Sequence, residues 1–81
     1  MRYGTETRLT PEEVLDRARA HFGPESELGL PELRFDTESA TYGSEVGSVT
    51  VSVAASDGQT EVTILSREYD SWAERFLRDL H

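Results

Sequence analysis

"GSVTVSVAASDGQTEVTILSRE", residues 47–68, decides the fold. Val49, Val51, Val53 and Ala55 alternate with Thr50, Ser52 and Ala54, the period of a strand with one buried face. Asp57-Gly58 follows, a dipeptide that tolerates the left-handed backbone of a two-residue hairpin turn. Beyond it Val62 and Ile64 resume the inward set. An isolated hairpin is marginal in water, so the remaining residues have to cover its apolar face.

Downstream, "SREYDSWAERFLRDLH" predicts a helix over 71–80. Ser71 and Glu74 have capping-box spacing, with Asp70 as an alternative cap. Trp72, Phe76 and Leu80 recur every four residues, Ala73 and Leu77 widen the stripe, and Arg75 and Arg78 lie where the helix dipole favours positive charge. This stripe makes Trp72 an expected core anchor against Val62 and Ile64. Capping and packing thereby account for most of the polar-aromatic cluster at Arg67–Trp72.

Upstream, residues 2–9 alternate as a strand, with Tyr3, Thr5, Thr7 and Leu9 on one side. "TPEEVLDRARAHFGP" then reads as a helix over 11–22. Thr10 is the cap, Pro11 takes the first turn, Glu13 closes a capping box and pairs with Arg17, and Gly23-Pro24 stops the helix. Val14, Leu15, Ala18 and Phe22 share its apolar face. Between helix and hairpin, Leu33, Phe35 and Thr37 alternate as a second strand, while Leu28 and Leu30 form a short strand or plug an edge. The Gly/Ser/Tyr cluster at 39–48 reads as a turn region. The expected architecture is α+β, β-α-β(3-4)-α, one domain over residues 1–81, with an antiparallel sheet carrying both helices on one face.

Sixteen acidic against eight basic residues give a formal charge of −8, which opposes phosphate backbones and anionic membrane surfaces. No nucleic-acid partner and no membrane partner is expected. All eight bases are arginine, and lysine, asparagine and cysteine are absent. Loss of heat-labile side chains fits a thermotolerant source, and without cysteine there is no disulfide framework or thiolate metal site. No signal-peptide pattern or membrane span is visible, which predicts a cytoplasmic protein.

Catalytic and metal chemistry find little support. His21 has no nucleophile partner and reads as a helix-end histidine beside the negative dipole end. Asp36 and Glu38 share one strand face, but two carboxylates alone make a poor cation site. The outer sheet face is expected to carry Glu6, Arg8, Arg34, Asp36, Glu38 and Arg67 as cross-strand ion pairs. Gly43 and Gly47 lack the lysine and the helix of a phosphate-binding loop. No catalytic residue, metal ligand or cofactor is assigned.

The order strand–helix–strands–helix resembles the TBP-like plan, in which helices pack on a curved antiparallel sheet. "TEVTILSREYDSWAERFLRDL" is similar to the last strand and helix of START (Bet v 1)-like proteins, and "TPEEVLDRARAHFG" to their first strand-to-helix passage. The chain is about half as long as those proteins and lacks their extra strands; it looks more like short bacterial proteins of the plan. Two functions follow as expectations. The first is a small non-enzymatic interaction module, a homodimer or bound to a protein partner through a sheet edge or the outer face. The alternative, implied by the resemblance, is a minimal binder of a small apolar ligand between the C-terminal helix and the sheet, lined by Tyr69, Trp72 and Phe76.

Overall fold

The computed structural model describes residues 1–80, in the order β1 (Arg2–Thr7), α1 (Pro11–Phe22), β2 (Glu32–Phe35), β3 (Ser39–Gly43), β4 (Ser48–Ser56), β5 (Gln59–Arg67) and α2 (Asp70–Asp79). The five strands form one antiparallel sheet in the order β1-β5-β4-β3-β2, with β4 and β5 at its centre. Their hairpin turns where expected: Asp57 (φ 48°) and Gly58 (φ 79°) both take the left-handed region, and Ser56 faces Gln59 across the turn. Val49, Val51, Val53, Val62 and Ile64 point into the core as their alternation requires. Ala55, near the turn, is exposed.

Both helices lie against this face and meet each other. Helix α1 has the expected cap in full: the Glu13 amide donates to Thr10 Oγ1 at 3.1 Å, and the Thr10 amide donates to Glu13 Oε1 at 3.0 Å. Its buried face is Val14, Leu15, Ala18 and Phe22, joined in one core by Leu30, Ala40, Tyr42, Ala73, Phe76 and Leu80. Two threonines tie the ends of the chain together. Thr7 Oγ1 donates to the Leu80 carbonyl at 3.1 Å, and Thr60 Oγ1 to the Leu9 carbonyl at 2.7 Å, so these buried hydroxyls are satisfied.

Three expectations need correction. The 39–48 region is not all turn: Ser39–Gly43 is a full strand between β2 and β4, with Ala40 and Tyr42 buried. A strand flanked on both sides gains hydrogen bonds along both edges, which outweighs its weak local propensity. In β2 the register shifts between Glu32 and Arg34, so the Leu33–Phe35 alternation breaks: Phe35 packs against the core, while Leu33 turns away at 64% exposure. Helix α2 begins at Asp70 without a side-chain cap on its N-cap residue Tyr69, so the Ser71/Glu74 capping box does not form.

The turn after β3 fixes Gly47. A Cβ there would run into the Arg67 carbonyl and approach Glu68 Cβ at 2.7 Å, so only glycine lets the turn lie against the end of β5.

Candidate functional site

Of the three residues named for a ligand site, two come together and one does not. Phe76 is 2% exposed, with ring centroids 5.3 Å from Phe22 and 5.5 Å from His21. Trp72 is half-buried; His21 meets its ring edge-on at 5.6 Å and Arg75 lies over it at 4.9 Å. Tyr69 sits away from them, its hydroxyl 3.4 Å from Ser44 Oγ beside the β3–β4 turn. His21, read from sequence only as a helix-end residue, proves to be the centre of this seam. Its Nε2 is 3.0 Å from the Trp72 carbonyl oxygen, an acceptor, so Nε2 carries the proton and donates. A shallow cleft of about 210 Å³ borders the seam, lined by Arg17, Ala20, His21, Phe76, Asp79 and Leu80; neither Tyr69 nor Trp72 lines it.

A second cluster was not legible as a site. The β2 register shift turns Glu32 towards α1, where Arg19 donates to it from Nε at 2.8 Å and from Nη2 at 3.3 Å. The Tyr42 hydroxyl donates to the same carboxylate at 3.0 Å, and the Arg19 guanidinium lies 3.7 Å over the Phe35 ring. The Arg19 bonds hold the Glu32 carboxyl below its ordinary range. Burial first, then the hydrogen bond to Glu32 and its charge, pushes the Tyr42 phenol above its own. Neither group is therefore poised for proton transfer near neutral pH. The cluster is a clamp between helix and sheet.

The third region is the sheet face turned away from the helices, where no element of the described residues lies. Its residues line up in cross-strand rows. One row runs Arg2–Leu65–Thr50–Thr41–Arg34, the next Gly4–Thr63–Ser52–Ser39, and the next Glu6–Glu61–Ala54. Thr41 and Thr50 share a hydroxyl hydrogen bond of 3.0 Å, and Leu65 stands 52% exposed beside them. The middle of the face is thus uncharged hydroxyl and aliphatic surface in a chain of net charge −8. The expected cross-strand ion pairs are not there. Among the described residues the ion pairs are Met1 amino–Asp70, Arg19–Glu32 and Arg34–Asp36, and the last spans two residues of one strand end. Ser and Thr alternating with valines was the available signal for this surface.

Among the described residues no three His, Asp or Glu side chains group to hold a metal ion, and no helix is long and apolar enough to cross a membrane. Comparison with models of protein families, with curated proteins and with solved structures gives no match.

Proposed function

We propose that the chain is a small non-enzymatic protein-interaction module whose working surface is the outer side of its sheet. One observation carries this reading: that face is uncovered, with a hydroxyl-rich, uncharged middle around Leu65 and Thr63 and the exposed Leu33 at its margin. An antiparallel sheet that leaves one face in water makes that face polar; here its middle is polar through hydroxyls without charge, and interface centres are depleted in charge. The interior supports a surface role as well. Val62, Ile64, Ala73 and Phe76, at 2% exposure or less, fill the layer between α2 and the sheet. The polar clusters around Glu32 and His21 direct hydrogen bonds within the chain: the Glu32 carboxylate accepts from Arg19 and Tyr42, and His21 Nε2 donates to the Trp72 carbonyl.

A photo-crosslinking amino acid at Thr63, on the outer face, tests the reading against the same group at Asp16 on the helix layer. In cells that express the chain, the Thr63 probe is expected to capture discrete protein neighbours and the Asp16 probe not. Equal capture from both positions, or none from Thr63, would sink the proposal.

A further inference from the structure

The two edges of the sheet differ. Strand β2 is short, follows Pro31 and carries the register shift, features that keep an edge from pairing with another chain. Strand β1 has six residues, no proline and no bulge, and Arg2, Gly4 and Glu6 on it are exposed. Its backbone polarity follows from its pairing. The Ser66 amide donates to the Met1 carbonyl at 2.8 Å and the Met1 amino group donates back to Ser66, so this pair exchanges both bonds. Alternation along an antiparallel ladder then turns the amides and carbonyls of Tyr3, Thr5 and Thr7 towards β5. Those of Arg2, Gly4 and Glu6 point to the open edge.

The charges at this edge are not matched within one copy. Among the described residues Arg2 makes no ion pair, and Glu6 lies directly opposite Glu61 in the register. That is a non-hydrogen-bonded position, where facing side chains come closest and like charges oppose pairing. We infer that β1 pairs antiparallel with β1 of a second copy about a two-fold axis at Gly4, making a closed dimer with a continuous ten-stranded sheet. The second copy meets the β1 edge and not the outer face, so the pairing goes beyond the reading above and does not depend on it.

The register is set by three physical requirements. Only residues with outward amides can bond, so Arg2, Gly4 and Glu6 must face one another. Centring on Gly4 pairs Arg2 with Glu6 of the other copy, Gly4 with Gly4, and Glu6 with Arg2, which uses every outward group of the strand. Centring one residue earlier leaves Glu6 unpaired; one residue later sets Arg2 against Arg8. The Gly4 register also brings each arginine to the end of the other copy's Glu6–Glu61 row and relieves that repulsion. With β2 blunted, the assembly closes at two copies instead of growing into a filament.

Sedimentation of the intact chain is the first test, with a shift expected from 9.1 kDa towards twice that mass as concentration rises to about 100 μM. Arg2→Glu and Glu6→Arg should each weaken self-association by about tenfold, because each sets like charges face to face twice. Mixing the two variants should restore a dimer, since Glu at 2 then meets Arg at 6 in one contact and the unchanged Glu6 meets the unchanged Arg2 in the other. Gly4→Pro should leave the monomer's melting curve nearly unchanged, as that amide is not used within the chain, and abolish the dimer. A dimer indifferent to the charge reversals, or one that survives Gly4→Pro, would overturn the two-fold edge. So would a monomer at every concentration. If that monomer still crosslinks a different protein from Thr63, the interaction reading stands without self-pairing; if Thr63 captures nothing, both fall.

Discussion

The Arg19 guanidinium grips the Glu32 carboxylate with two hydrogen bonds, of 2.8 and 3.3 Å, across the gap between α1 and the edge strand β2. Tyr42 completes the arrangement from β3, fully buried, with its hydroxyl on the same carboxylate oxygen. Three elements are thus joined at this end of the sheet through one side chain, beside the Phe22–Tyr42 ring contact that already packs α1 on β3. Tyr42→Phe removes one of the three bonds while keeping the ring. It should cost about 0.5–1.5 kcal/mol in urea unfolding, as loss of a single hydrogen bond does. Tyr42→Ala should cost roughly 3–5 kcal/mol, because the buried ring goes with it.

Phe76, not Trp72, is the aromatic on which α2 depends. The helix buries Ala73 and Phe76, followed into the core by its C-cap Leu80, a face that leaves Trp72 at its edge between His21 and Arg75. Phe76→Ala should lose roughly 3–5 kcal/mol, a large part of the total stability of a small domain. Trp72→Ala should lose about 1–2 kcal/mol, since only part of its surface is withdrawn from water. Thermal and urea unfolding of the two variants beside the parent decides the ranking. Equal losses would place the indole deeper in the core than its half-burial allows.

Two glycines are needed for different reasons, and alanine separates them. At Gly58, φ is +79° with open space around the position of a Cβ, so Gly58→Ala should cost about 1–2 kcal/mol through backbone strain alone. At Gly47 the obstacle is contact with the Arg67 carbonyl, which only movement of the turn can relieve. Gly47→Ala should therefore be the more damaging, and it should alter amide exchange at the start of β4 as well as the melting temperature.

Acid should unfold the protein through three carboxylates whose pKa values fold downwards. Amides of Glu38 and Ser39 and the Arg34 guanidinium hold Asp36 at about 2; the Arg19 bonds lower Glu32, and the Thr10 cap lowers Glu13. A depressed folded pKa means that the unfolded chain binds protons first. The stabilisation is present above the ordinary carboxylate range and is lost as pH falls from there towards about 2 for Asp36. Asp36→Asn keeps an acceptor for the two amides but removes the charge. The slope of its urea midpoint against pH between those limits should be shallower than the parent's. An unchanged slope would remove Asp36 from this account.

The sequence by itself determined the elements whose signals are local. The α1 cap is written in Thr10, Pro11 and Glu13, and the hairpin in Asp57-Gly58 between alternating valines; both depend on atoms a few residues apart. Net charge and the lack of cysteine were equally direct. Tertiary structure decided what depends on distant partners. Ser39–Gly43 is a strand because β2 and β4 bond to both its edges, and Glu32 reaches Arg19 and Tyr42 because a register shift turns it to the helix side of the sheet. His21 finds the Trp72 carbonyl across 51 residues, and Glu6 meets Glu61 only through the β1–β5 register. None of these pairs has a sequence spacing that periodicity could expose, because the geometry that joins them belongs to the sheet and not to either segment.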